Sequence, residues 1–175
     1  MPSIVRQLIS PANLLSLVRL PLAGVVIVRI GQPDAVLWFL FAAFTDYLDG
    51  FVARKTNTMT PLGGVLDPLC DKFFVAMIFG YCFVLYGLSS WMIPAFFLRD
   101  IFTGIGALIG WDRLKKSGKL KASFSGKVVT VFQFLVLLML VNQSLLSIES
   151  TMMTLALASL WSISDYLTAF RSISK

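Results

Sequence analysis

The chain has 175 residues, of which 57% are hydrophobic, and its formal net charge at pH 7 is +6. A soluble domain of this length could not bury so much apolar surface, so the composition excludes a water-soluble globular protein and predicts an integral membrane protein. The two cysteines, Cys70 and Cys82, lie within one apolar run, which excludes a disulfide framework and predicts free thiols.

An all-α integral membrane fold with six transmembrane helices is predicted, preceded by a short amphipathic juxtamembrane helix at residues 3–9. Turns rich in glycine, proline or polar residues separate the spans. In chain order, we expect spans at about residues 13–30, 34–54, 62–86, 91–111, 127–146 and 150–170. We also expect a polar connection over residues 112–126, no cleavable signal sequence, and a single domain covering residues 1–175.

Basic side chains are distributed unevenly between the connections. The N-terminus, the turn at Lys55, residues 113–121 and the C-terminus contain them, whereas the turns near Pro33, Ser89 and Asn142 contain none. The positive-inside rule therefore predicts a multi-pass protein with both termini in the cytoplasm. The cations of residues 113–121 are explained by this role in topology and by contact with anionic lipid headgroups.

Four of the nine acidic residues lie in the stretch from Asp46 to Asp71. Asp46 and Asp49 are three residues apart near the end of the second span, and Asp67 and Asp71 are four apart near the start of the third. On helices, each pair projects from one face. A solvated helix face would be the ordinary explanation, but one carboxylate in mid-membrane costs about 2.5–3.5 kcal/mol. We therefore expect the four carboxylates to meet near one membrane face, open to the cytoplasm.

Carboxylates held close together need a counter-charge. Ligands made only of oxygen suit hard divalent cations, and the chain contains no histidine. The expected cofactor is Mg²⁺ or Mn²⁺, with two ions bridged by carboxylates. Arg54, a planar cation suited to phosphate, follows the first acidic pair and indicates phosphoryl chemistry.

The spacing around these acids is specific. It reads Asp46-x-x-Asp49-Gly50-x-x-Ala53-Arg54, eight residues, then Gly63-x-x-x-Asp67-x-x-x-Asp71. This pattern resembles the signature of the CDP-alcohol phosphotransferase family, and the resemblance covers nearly the full chain. It implies transfer of a phosphatidyl group from CDP-diacylglycerol to the hydroxyl of an acceptor, with release of CMP, by a homodimeric enzyme in the lipid bilayer.

The resemblance also implies a role for each residue of the pattern. The metal would be bound by Asp46, Asp49, Asp67 and Asp71. The CDP portion would be held by Asp46, Asp49, Gly50, Ala53, Arg54, Gly63 and Asp67. Asp71 would be the catalytic base that takes the acceptor's proton, and in a chain without histidine a carboxylate is also the expected base on chemical grounds.

A second set of polar residues lies within or beside the later apolar spans. It consists of Arg99, Asp100, Lys127, Thr130 and Gln133. We expect these residues to form an electropositive pocket for the acceptor, whereas the structural alternative gives them interhelical hydrogen bonds and interfacial positions. Residues 13–19 and 126–133 resemble the family branches that use glycerol 3-phosphate or phosphatidylglycerol. Glycerol 3-phosphate, giving phosphatidylglycerophosphate, is the favoured acceptor; phosphatidylglycerol, giving cardiolipin, is second, and an inositol phosphate is third.

Other interpretations stay open. A divalent-cation channel or transporter also carries acidic residues in membrane helices, although it leaves the glycines and Arg54 of the pattern unexplained. Arg19, inside the first span, either reaches toward the headgroups or faces the protein interior. Asp165 and Tyr166 could line the cavity from the last helix. No nucleic-acid partner is expected.

Overall fold

A computed structural model describes the backbone of residues 11–56, 63–117 and 124–173. Side-chain environments are described for residues 17–45, 69–105 and 124–168. The amphipathic helix predicted at residues 3–9 lies outside the described residues, as does most of the polar turn after Lys55.

The described chain is helical, as predicted. Its backbone forms six α-helices, with one short 3-10 helix before the last of them. The α-helices are α1 (Pro11–Arg29), α2 (Ala35–Thr56), α3 (Gly63–Tyr86), α4 (Met92–Ser117), α5 (Phe124–Val141) and α6 (Ile148–Ile173). The 3-10 helix covers Leu145–Ser147.

Two predicted ends are wrong. α4 continues six residues past position 111 to Ser117, because its Arg and Lys residues are good helix formers and polarity alone does not end a helix. α5 ends at Val141, five residues before the predicted end, because Gln143 adopts a left-handed φ of 58°. The amides of Gln143 and Ser144 then donate to the carbonyls of Leu140 and Met139, a Schellman motif that satisfies the end of the helix.

Three segments of the described residues are long and apolar enough to cross a membrane: Leu69–Tyr86, Phe124–Val141 and Leu145–Thr168. A shorter apolar segment, Ala35–Thr45, belongs to α2. Large apolar side chains such as Val84 are exposed on these helices, as expected for surfaces that face lipid. The chain is therefore a membrane protein.

The chain divides into two compact units. The first contains Met1–Gly87 and Leu140–Gln143, and the second contains Leu88–Met139 and Ser144–Lys175. In the first unit, α1 packs against both α2 and α3. Its buried core comprises Leu22, Ala23, Val26, Ala35, Phe39, Ala42, Cys70, Phe74, Val75, Ile78, Phe79, Cys82, Leu140 and Val141. Alanines on α1 and α2 let the helices approach closely, while Phe39 stacks on Phe74 with ring centroids 6.2 Å apart.

The second unit is built around the packing of α4 against α6. Its apolar core comprises Met92, Ala95, Phe96, Val129, Val136, Leu137, Ile148, Met152 and Leu155. Several buried residues of this unit are polar, namely Ser125, Gln133, Ser159 and Ser162. Small hydroxyl residues and amides are typical of contacts between membrane helices, where they permit close approach and hydrogen bonding.

One element of the predicted charge distribution needs correction. Arg29 is exposed in the last turn of α1, beside the turn at Pro33, so that end of the helix is not free of cations. Its Nη1 lies 3.2 Å from Asp34 Oδ2, and the same oxygen accepts a hydrogen bond of 3.0 Å from Trp38 Nε1.

Candidate active site

The two acidic pairs lie on consecutive helices, as predicted. Asp46 and Asp49 belong to the C-terminal half of α2, and Asp67 and Asp71 to the first three turns of α3. Because the backbone is helical at all four positions, each pair lies on one face of its helix. The side chains of Asp46, Asp49 and Asp67 are outside the described ranges, so the four-carboxylate cage stays a prediction.

The residues predicted to hold CDP continue the same helix faces. Gly50 is one turn beyond Asp46, and Ala53 is nearly two turns beyond it, so α2 carries small residues along the face of the first acid. Arg54 follows in the same helix, and Gly63 is the first residue of α3.

Asp71 is the one member of the acidic set whose side chain is described. Its Oδ1 is ion-paired with Nη1 of Arg19, which extends from α1. The Arg19 side chain is 4% exposed, and the Asp71 side chain is 43% exposed. Arg19 thus faces the interior of the first unit, so its alternative placement among the headgroups is wrong. The physical reason is that a buried guanidinium is stabilised by a carboxylate on the helix packed against its own.

Sequence reasoning did not place Arg19 in the site. The available signal was a cation within an apolar span, which needs a counter-charge. Its partner lies 52 positions away on another helix, so no spacing rule links the two residues.

The donor set of the acidic stretch fits a hard divalent cation. Its four side chains offer carboxylate oxygens only, which suit Mg²⁺ or Mn²⁺. Asp71 is half exposed, and that exposure leaves part of its carboxylate accessible to a ligand. Among the side chains that the structure describes, no group of three or more metal-ligating residues occurs, since the other three aspartates lie outside that part of the chain.

Three of the predicted acceptor residues meet in the second unit. Gln133 on α5 is buried, and its Nε2 donates to the Phe96 carbonyl at 3.0 Å and to Asp100 Oδ2 at 2.8 Å. Arg99 Nη1 lies 3.6 Å from Asp100 Oδ1. We call Arg99, Asp100 and Gln133 the polar network. Both amide hydrogens of Gln133 are used by α4, so the interhelical alternative describes this residue correctly.

The Arg99 guanidinium lies against the backbone of α5 at Gly126. A Cβ added at Gly126 would come within 2.5 Å of Arg99 Nη2, a distance that real Cβ atoms do not show. Gly126 is buried, whereas the Arg99 side chain is 24% exposed. The missing side chain at position 126 therefore provides the space that the guanidinium occupies.

The remaining predicted polar residues have other surroundings. Lys127 and Thr130 are exposed on α5, and the Thr130 hydroxyl donates to the Gly126 carbonyl of its own helix at 3.1 Å. In the described part of the chain, neither side chain joins the polar network. On α6, Asp165 is partly buried and the Tyr166 ring packs edge-on against Phe102 with centroids 6.4 Å apart.

Comparison with known proteins gives one consistent family. The profile of the family described as CDP-alcohol phosphatidyltransferase matches residues 9–162. Proteins named CDP-diacylglycerol–glycerol-3-phosphate 3-phosphatidyltransferase from Escherichia coli (strain K12), Shigella boydii serotype 4 and Shigella sonnei are each 36% identical over 147 residues. The matched region covers 79% of this chain and 79% of each relative.

Replacing Gln133 with leucine is expected to destabilise the protein by about 1–3 kcal/mol, because Asp100 Oδ2 loses a buried donor. Unfolding in detergent micelles measures the change. Thr154→Val is the matched control, since this exposed hydroxyl bonds only within α6 as described and its loss should cost less than about 0.5 kcal/mol. Equal stability of Gln133→Leu and the wild type would contradict the structural role of this amide.

Proposed function

Because this chain belongs to the CDP-alcohol phosphatidyltransferase family, we propose that it transfers the phosphatidyl group of CDP-diacylglycerol to glycerol 3-phosphate. The products are phosphatidylglycerophosphate and CMP. The observation that carries the proposal is the complete acidic pattern of residues 46–71, on two helices that follow each other in the chain. The matched region covers 79% of the Escherichia coli (strain K12) relative, and the name of that relative supports glycerol 3-phosphate as the acceptor.

The acidic residues are proposed to hold the cofactor and the nucleotide. Asp46, Asp49, Asp67 and Asp71 would bind Mg²⁺ or Mn²⁺ through their carboxylate oxygens. When bound, the metal neutralises charge on the diphosphate and stabilises the departing CMP. Gly50, Ala53 and Gly63 would leave space for the CDP portion, and the planar cation of Arg54 suits its phosphates.

Asp71 is proposed to be the catalytic base. The acceptor hydroxyl oxygen forms a bond to the phosphorus that carries the diacylglycerol, and the bond from that phosphorus to the CMP oxygen breaks. The hydroxyl proton passes to the Asp71 carboxylate, and CMP leaves with the bonding electron pair. The partial exposure of Asp71 supports this role, since a base must reach its substrate.

The polar network is proposed to recognise the acceptor phosphate through Arg99. A guanidinium binds phosphate through paired N–H donors, and the space over Gly126 defines where this guanidinium lies. Asp100 and Gln133 are bonded to each other, so we propose that they act on the acceptor through Arg99. Lys127 and Thr130, exposed on α5, are proposed to contact the acceptor directly.

Beyond the three spans found among the described residues, we propose the six transmembrane helices that the sequence predicts. We propose a multi-pass protein with both termini in the cytoplasm and a site open to that side, where the soluble acceptor is found. A family match over residues 9–162 includes parts of both compact units and supports a single functional domain. A homodimer is proposed from the family resemblance.

The direct test uses the purified full chain in mixed micelles with CDP-diacylglycerol and Mg²⁺ or Mn²⁺. CMP release and lipid product are measured with glycerol 3-phosphate, with phosphatidylglycerol, and without acceptor. We expect product with glycerol 3-phosphate and none after chelation of the metal. Product from phosphatidylglycerol alone would make the chain a cardiolipin synthase. In a parallel assay with the protein reconstituted into lipid vesicles, metal flux without CMP release would favour a channel or transporter.

Asp71→Asn is expected to lower turnover by about 10²–10⁴, because the amide cannot take up the acceptor's proton. CDP with Mn²⁺ should still raise the thermal stability of the variant, because Asp46, Asp49 and Asp67 would still hold the metal, and this separates lost chemistry from lost binding. Asp34→Asn serves as the control, since this aspartate pairs with Arg29 and Trp38 outside the acidic stretch. Turnover at the wild-type rate in Asp71→Asn would remove Asp71 from the role of base.

Gly126→Ala is expected to raise the KM for glycerol 3-phosphate about tenfold, because the new Cβ displaces the Arg99 guanidinium. The KM for CDP-diacylglycerol should not change. Thermal stability should change little, since the displaced group is the end of a flexible side chain. Gly104→Ala on α4 is the control, because its added Cβ would meet no atom within 4 Å. An unchanged acceptor KM in Gly126→Ala would argue against Arg99 as the phosphate contact.

A further inference from the structure

Arg19 is a charged residue at a position where charge is costly. It lies on α1 between apolar residues, and its side chain is 4% exposed. Its neighbours one turn further along, Leu22 and Ala23, are buried in the core of the first unit. A guanidinium in such surroundings needs a carboxylate partner, and Asp71 supplies one from α3.

One oxygen of Asp71 is buried although much of the side chain is exposed. Oδ1, which pairs with Arg19, is the buried atom. The side chain as a whole is 43% exposed, so its exposed surface belongs to the atoms other than Oδ1. The ion pair therefore fixes one oxygen inside the unit, while the rest of the side chain is accessible.

We propose that Arg19 is a positioning residue for the reaction, acting through Asp71. By holding Oδ1, it sets the orientation in which Oδ2 is presented to the acceptor hydroxyl. Arginine suits this role because its guanidinium is planar and permanently charged, and it is less strongly hydrated than an ammonium group. The inference rests on the proposed transferase function and adds to it a residue outside the family pattern of residues 46–71.

The first unit contains a second Arg–Asp pair that serves as an internal comparison. Arg29 lies on the same helix as Arg19, and its Nη1 is 3.2 Å from Asp34 Oδ2. This pair is partly exposed, at the C-terminal end of α1, and its aspartate is not part of the acidic pattern. Replacement of Arg29 therefore controls for the general effect of removing an arginine from α1. A loss of activity seen only on replacement of Arg19 reflects its pairing with Asp71.

The experiment compares Arg19→Lys, Arg19→Met and Arg29→Met in the purified full chain. Each variant is assayed for kcat and for the KM of both substrates, and its thermal stability is measured with and without CDP and Mn²⁺. We expect Arg19→Met to lower kcat about 10²-fold with both KM values nearly unchanged, since a small misplacement of a reacting group has an effect of this size. Arg19→Lys should recover part of that loss, and Arg29→Met should behave as the wild type.

Three results would overturn the proposal. Loss of thermal stability in Arg19→Met with kcat unchanged would make the ion pair purely structural. A raised KM for one substrate with unchanged kcat would mean that Arg19 binds that substrate directly. If Arg19→Met does not fold, the Arg19→Lys variant decides the question, and a wild-type kcat in that variant would overturn the proposal. Absence of CMP release from the wild type is a separate outcome, which would refute the proposed function itself.

Discussion

A charge buried in an apolar helical core must be compensated, and the arrangement of the first unit depends on this constraint. Arg19 satisfies it by pairing with Asp71, which links α1 to α3 at the start of the helix that carries the second acidic pair. The same requirement would apply to the aspartates of the predicted four-carboxylate cage, because carboxylates that lie near each other need a cation. The ion pair and the proposed metal would thus both compensate charge that the fold brings together.

The second unit meets a related constraint through hydrogen bonds. Gln133 is buried, and its amide satisfies Asp100 on the facing helix instead of leaving a buried carboxylate oxygen unpaired. Arg99 then occupies the space left by Gly126, where its side chain is 24% exposed. The hydrogen bonds of the polar network stabilise the contact between α4 and α5, and its Arg99 could also bind a phosphate. The structural and functional interpretations of these residues are therefore compatible.

Much of the fold could be predicted because apolar runs and turn residues define helices in a membrane protein. The ends at Gly31 and Gly87 follow from glycines with positive φ, while the end of α5 at Gln143 could not be predicted from composition. The acidic pattern identified the candidate site because helical spacing is visible in sequence. The Arg19–Asp71 pair and the contact of Arg99 with Gly126 were not predictable, since both join residues far apart in the chain.

The four aspartates of residues 46–71 are proposed to hold a divalent cation together with CDP. An experimental structure of the protein with Mn²⁺ and CDP, using the anomalous signal of manganese, tests this most directly. We expect manganese bound by the carboxylates of Asp46, Asp49, Asp67 and Asp71, with the diphosphate of CDP beside it. Manganese bound elsewhere, or CDP bound away from these residues, would contradict it.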